Sequence, residues 1–321
     1  MSAANVADLS ALAYRIIGQV ERAIVGKRAL LEKIMAAILA DGHVLLEDYP
    51  GLAKTLIANS FATALGLSFK RIQFTPDLLP GDITGGYVYD RATGRFELRK
   101  GPLFANIILA DEINRASPKT QSALLEAMQE GQATLEGETL KLPSPFIVVA
   151  TQNPIEYEGT FPLPEAQLDR FLVKLAVGYP SPDEEREILR RRRERKQDAF
   201  DLEQVTGARE LLALRRAIEE VHVDPDVEGY IVDLTQATRQ RRQVAVGASP
   251  RGSLALLKLS RVWAAMQGRD YVLPDDVKAF VHAALGHRLI LEPDLWMQRH
   301  AADQILSELL QSVSVPVSVE D

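Results

Sequence analysis

The sequence predicts an α/β fold: a parallel five-stranded sheet with helices on both faces, followed by a smaller all-α domain. Three observations predict it. Short apolar runs alternate with helical patterns up to about residue 177, turn signals separate them, and the strand pattern stops after Tyr179-Pro180-Ser181-Pro182.

The elements follow in order. Leu9, Leu12, Ile16, Val20 and Ile24, then Leu30, Ile34 and Ile38 after Gly26, keep helical spacing over residues 1–40. An apolar strand at 43–47 is broken by Pro50-Gly51, and a helix runs from about 54 to 65. Strands are expected at 69–74, 107–110, 146–151 and 171–177; their alternation with helices fits a parallel sheet covered on both faces. Between them a helix is punctuated by Ser117 as N-cap, Pro118 at the first position and Gly131 at the end. The segment near 75–100, with Gly81, Gly85, Gly86 and Gly94, is too long for a plain connection and reads as an insert. Residues 131–145 read as a hairpin around Glu136-Gly137. Ser181, Pro182 and Glu184 form a capping box that opens a charged helix, after which the pattern is helical only. The expected division is an α/β domain over 1–179 and an all-α domain over 180–321, with the tail 312–321 frayed or a short edge strand.

Composition bounds the function. With 321 residues there is room for two domains of about 150 each. At 46% apolar and 25% charged residues, long disorder and rod-like folds are excluded. A net charge of −7 provides no basic field for nucleic acid or anionic lipid. The absence of cysteine removes disulfides, thiolate metal sites and cysteine nucleophiles. None of the 5 histidines is spaced i,i+4 from another, so a helical two-histidine metal site has no candidate. The apolar runs fall far short of the ~20 residues that span a bilayer, and the N-terminus lacks a basic region followed by an apolar core. A cytoplasmic chain without membrane insertion is expected.

Chemistry concentrates in five segments. In HVLLEDYPGLAKT an apolar strand, a tight turn and Lys54-Thr55 at a helix start match the layout that cradles phosphate, although Asp48 and Ala53 occupy positions where the phosphate-loop pattern has glycine. Taken alone, the string also fits an ordinary strand–turn–helix. IILADEINRA ends a buried strand in two carboxylates; Asp111 suits a metal–water ligand and Glu112 a base that orients water, the alternative being a solvated strand end with a helix cap. Asn153 follows the next apolar strand, level with Asp111, and could hold water near a terminal phosphate, or simply form a turn before Pro154. Arg170 directly precedes the last strand and could equally be a surface arginine. Arg251 sits in the first turn of a helix capped by Ser249-Pro250, where a cation opposes the helix dipole by ~0.3–1 kcal/mol unless an anion is near.

Together, YPGLAKT, DEINRA, QSALLEAMQEG, ATQNP and EGTFPLPEAQLDRF resemble the MoxR family of AAA+ ATPases, a helix-2-insert group, over most of the chain. The resemblance implies a P-loop NTPase-type sheet with an all-α lid, ATP and Mg²⁺ as cofactors, and ATP hydrolysis. It implies that Pro50, Gly51, Leu52, Ala53, Lys54, Thr55 and Leu56 form the phosphate loop, with Val25 and Gly26 on the adenine side. Thr55 and Asp111 would hold the metal. Glu112, Asn153 as sensor 1, Arg170 as arginine finger on a neighbour's nucleotide and Arg251 as sensor 2 would complete the catalytic set with Lys54. It further implies a hexameric homo-oligomeric ring, a von Willebrand factor A domain partner and a protein client remodelled in a chaperone-like way. The rivals are a nucleotide-binding switch with little hydrolysis, supported by Ala53, and a chelatase-like or DNA-acting motor. The basic run 190–196 closes a helix that acidic residues open, which the dipole explains without nucleic acid.

Overall fold

The computed structural model of the chain describes residues 6–153, 160–296, 298 and 300–316. Pro154 and the end of the tail lie outside the described residues.

Two helices open the chain, α1 (Val6–Glu21) and α2 (Arg28–Leu39), each turning an apolar stripe inward. Then β1 (Val44–Glu47) leads through the Pro50-Gly51 turn into α3 (Lys54–Ala64) and β2 (Phe69–Gln73). The insert is a short helix, α4 (Pro80–Thr84), and an antiparallel hairpin of β3 (Gly85–Asp90) and β4 (Arg95–Lys100). After β5 (Ile107–Asp111) comes α5 (Pro118–Glu130), closed by Gly131 in the left-handed conformation. Ser117 stands at its N-cap, but the hydroxyl faces Thr120 Oγ1 at 3.2 Å instead of a helix amide. The expected hairpin is β6 (Gln132–Leu135) and β7 (Glu138–Lys141), joined by Glu136-Gly137 with φ of 48° and 89°. Positive φ at both turn residues matches the twist of the strands. Next come β8 (Ile147–Gln152), the short α6 (Glu165–Leu168) and β9 (Val173–Leu175).

The main sheet has the order β2-β5-β8-β1-β9, all parallel, so the strand feeding the Lys54 turn lies inside the sheet. Its alternation explains the unbroken apolar runs. Val44, Leu46, Ile107, Leu109, Ile147 and Val149 face one core cluster, with α1, α2 and α3; Leu45, Ile108, Ala110, Val148 and Ala150 face the other, with α5.

The remainder is helical: α7 (Pro182–Arg195), α8 (Ala208–Ile218), α9 (Pro225–Gln240), then, after a strand β10 (Val244–Val246), α10 (Pro250–Met266), α11 (Pro274–Lys278), α12 (Val281–Leu285), a strand β11 (Ile290–Leu291) and α13 (Ala301–Ser312). The β10–β11 ribbon is the departure from a purely helical pattern. The capping box forms: Ser181 Oγ accepts the Glu184 amide at 3.3 Å and Glu184 accepts the Ser181 amide at 2.7 Å. The helical part packs through α10 against α1 and shares its core cluster. Among the described residues no helix is long and apolar enough to cross a membrane.

Candidate functional site

A cleft of ≈ 390 Å³ opens at the C-terminal edge of the sheet, lined by residues 50–56, Arg71, Asp111, Glu112, Thr151 and Asn153. Its floor is the turn between β1 and α3. Gly51 takes φ +83° with open space where a side chain would stand. Ala53 is the N-cap of α3 at φ 55°, ψ 17°, a left-handed conformation that favours glycine. The turn therefore keeps a glycine-like path with a methyl group on it. The first amides of α3 have no intrahelical acceptor, and such a helix start attracts anions. Lys54 Nζ donates to the carbonyls of Asp48 and Tyr49, each at 2.7 Å. Burial pulls this ammonium below its ordinary value, while Asp48, Asp111 and Glu112 pull it up.

Asp48, which departs from the glycine pattern, has a structural use. Its carboxylate is buried, accepts the Tyr49 amide at 2.8 Å, and reaches the Gly178 amide at 2.6 Å. It thereby ties the turn to the chain leaving β9.

The two carboxylates at the end of β5 are held by residues the sequence reading passed over. Thr151 Oγ1 donates to Asp111 Oδ1 at 2.6 Å and accepts the Glu112 amide at 2.8 Å. Arg71 on β2 donates Nε and Nη2 to Asp111 Oδ2 at 3.0 and 2.6 Å. Its Nη2 also donates to Gln73 Oε1 at 2.5 Å, and Gln73 Nε2 donates to Glu112 Oε2 at 2.7 Å. Arg115 adds 2.9 Å to the same oxygen. Glu112 itself sits at φ 56°, ψ 50°, a costly conformation for a glutamate and one that turns its carboxylate off the strand. Arg71 and Gln73 escaped notice because polar residues on an edge strand look like a solvated face; their register against Leu109 and Asp111 was the usable signal.

These donors fit magnesium. Asp111 is only 9% exposed and already has a cation against it, and the Thr55 hydroxyl lines the same cleft; hard oxygen donors with one carboxylate, completed by phosphate oxygens, are what Mg²⁺ takes. Asn153 reaches the cleft from the end of β8, level with these groups.

Two pairs of expected residues lie elsewhere. Val25 and Gly26 do not line the cleft; Gly26, at φ +71°, abuts Glu184, and Lys27 Nζ donates to the Tyr179 carbonyl at 3.0 Å. They share a neighbourhood with the loop through the Tyr49–Tyr179 ring stack, centroids 5.7 Å apart. Arg170 and Arg251 stand together at the opposite, N-terminal edge of the sheet, in a 270 Å³ cavity with Asp169 and Arg288. Leu172 N–H bonds the carbonyl of His43, which fixes Arg170 beside the start of β1. Arg251 therefore does not reach this chain's own cleft.

Comparison with known proteins agrees with this arrangement. Residues 43–173 match the ATPase family associated with various cellular activities (AAA), and residues 236–309 match the AAA lid domain. The chain is 49% identical over 310 residues to an uncharacterized Bacillus subtilis protein, YeaC, covering 97% of both chains. It is 46% identical over 311 residues to chaperone MoxR1 of Mycobacterium tuberculosis, covering 94% of this chain and 82% of that one. A crystal structure of a candidate ATPase from Cytophaga hutchinsonii superposes with a TM-score of 0.90 at 39% identity, over 96% of each chain. The phosphate-type turn, the carboxylate pair facing it and this likeness along nearly the whole length agree, and the chain belongs to the MoxR family of AAA+ ATPases.

Proposed function

We propose that this chain binds Mg·ATP in the cleft and hydrolyses it within a closed homo-oligomeric ring, using the cycle to remodel a partner protein. The observation that carries the reading is the opposition of two half-sites. Lys54, Thr55, Asp111, Glu112 and Asn153 meet at one edge of the sheet, while Arg170 and Arg251 meet at the other. A head-to-tail contact between copies would bring the two halves together, and repeated contacts of that kind close into a ring. In this reading residues 1–179 form the nucleotide-binding domain and 180–321 the lid.

The work of each residue follows from charge. The α3 amides and Lys54 receive the phosphates, so Lys54 must leave the carbonyls of Asp48 and Tyr49. Thr55 and Asp111 would hold Mg²⁺, which supplies charge neutralisation across the phosphates. Glu112, released from Gln73, accepts a proton from water or orients it, and Asn153 holds that water in line. Arg170 and Arg251 of one copy neutralise charge developing on the neighbour's transferring phosphoryl. Val25 and Gly26 sit on the adenine side. A hexamer, a von Willebrand factor A domain partner, a protein client and a cytoplasmic site of action, where ATP is abundant, complete the proposal; chaperone MoxR1 supports the remodelling role by its name.

Calorimetry with Mg·ATP tests binding, and phosphate release tests turnover. Wild type is expected to bind and hydrolyse, Glu112→Gln to bind without hydrolysis, and Arg170→Ala to bind with turnover reduced about 10³-fold or more. Equal, negligible release by wild type and Glu112→Gln would make the protein a nucleotide switch. Weakened binding by monomeric Arg170→Ala would overturn the assignment in trans.

A further inference from the structure

Arg170 lies on a segment that the lid grips with unusual thoroughness. The Arg288 side chain is 3% exposed and donates Nε to Asp169 Oδ1 at 2.7 Å. Nη2 donates to the carbonyls of Phe171 at 2.8 Å and Asp169 at 3.2 Å; Nη1 donates to the carbonyls of Leu172 at 3.2 Å and Ala284. One guanidinium thus fixes backbone on both sides of Arg170. His287 adds Nε2 to the Phe171 carbonyl at 3.0 Å. The second oxygen of Asp169 turns to the lid helix: Oδ2 accepts the Ser249 hydroxyl at 3.1 Å and lies 3.9 Å from Arg251 Nε. Ser249 is the N-cap of α10, the helix that carries Arg251.

Burying an arginine costs desolvation, and an apolar contact would join lid to sheet at least as stably. Burial does pull the Arg288 pKa down, against Asp169. What the polar clasp adds is geometry. A planar fork with fixed donors permits one position of residues 169–172, whereas apolar side chains would permit several. In contrast, no partner holds the Arg170 guanidinium itself among the described residues, so its direction depends on the backbone beneath it.

We propose that Asp169 and Arg288 are positioning residues that lock Arg170 and Arg251 into one rigid phosphate receptor for the neighbouring subunit's nucleotide. The inference rests on the trans reading above and adds the parts that make two arginines, from two different domains, act as one group. Displacement of such a group by about 1 Å is enough to cost roughly 100-fold in rate.

The test uses full-length Arg288→Lys and Asp169→Asn. Arg288→Lys keeps the charge but cannot reach four carbonyls and a carboxylate from one plane. Both variants are expected to bind Mg·ATP like wild type by calorimetry, with unchanged KM, while kcat falls by about 100-fold. Each is then mixed with Glu112→Gln, whose own cleft is inactive but whose arginine edge is intact. Activity is expected to return, because Glu112→Gln neighbours serve the intact clefts of the variant. Loss of binding together with kcat, or no recovery on mixing, would show that the clasp serves folding alone and overturn the proposal. Should Arg288→Lys fail to fold, Asp169→Asn carries the same expectations. If Arg170→Ala is inactive while both clasp variants turn over at the wild-type rate, the positioning role fails and the trans reading stands; if Arg170→Ala is fully active, the trans reading itself fails.

Discussion

At the scale of single residues, the cleft holds two strained positions and one replaceable cation. Ala53 is exposed and left-handed at φ 55°, a conformation that costs an L-residue about 1–2 kcal/mol and glycine far less. Glycine's greater unfolded freedom returns part of that, about 0.5–1 kcal/mol. Ala53→Gly is therefore expected to stabilise the protein by about 0.5–1 kcal/mol in urea unfolding without weakening Mg·ATP binding. A loss of stability would mean that the methyl group packs in the fold. Arg71 is the cation. Its side chain is half exposed on an edge strand, yet it neutralises the nearly buried Asp111. Arg71→Ala leaves that carboxylate short of a donor, a loss of about 1–3 kcal/mol in metal-free buffer. Mg²⁺ alone should then raise the melting temperature of Arg71→Ala while leaving wild type almost unmoved. Equal responses would show that Arg71 does not stand where a metal acts.

The elements show which signals a sequence carries. The inner parallel strands were legible because burial on both faces leaves runs such as residues 107–110 wholly apolar, and the helices between them carry their own Ser, Pro and Gly punctuation. Lys54, Thr55, Asp111, Glu112 and Asn153 were legible because they end strands or open a helix. What stayed hidden depends on partners distant in the chain. Asp48 reads as a damaged glycine position until its bond to Gly178, 130 residues away, is seen. Arg288 reads as one more arginine until it closes on Asp169, 119 residues earlier. The β10–β11 ribbon is too short to carry a period. One junction between elements makes its own prediction. A Cβ on Gly26 would lie 1.9 Å from Glu184 Oε1, the carboxylate that caps α7 with Ser181. Gly26→Ala should lose the cap, about 1 kcal/mol, in addition to the left-handed strain of about 1–2 kcal/mol. Glu184→Ala removes the clash, so the double variant is expected to be less destabilised than the sum of the singles. Additive losses in chemical denaturation would show that Glu184 yields freely.

For the whole molecule, a half-buried imidazole, His43, and a buried one, His287, hold the sheet edge that bears Arg170. His43 Nδ1 accepts the Val148 amide at 3.0 Å and Nε2 donates to the Met128 carbonyl at 3.0 Å, joining β1, β8 and α5. His287 joins lid to sheet through the Phe171 carbonyl. Burial lowers both pKa values; Arg215 adds to the lowering at His43 against the Met128 carbonyl and Asp41, and Arg288 and Lys174 add to it at His287 against backbone acceptors. Both rings are thus neutral in the fold, while in the unfolded chain they take up protons near pH 6.5. Below that pH the unfolded state binds more protons, so stability rises with pH through this window: the contribution is complete above about pH 6.5 and is lost as pH falls toward the depressed native values. Urea midpoints are expected to drop between pH 7.5 and 5.5, with a shallower slope in His43→Gln. Because the His43 and His287 contacts surround residues 170–172, acid should also reduce kcat before it reduces Mg·ATP affinity at the far edge. A pH-independent midpoint, or affinity lost before turnover, would separate the histidines from the arginine edge.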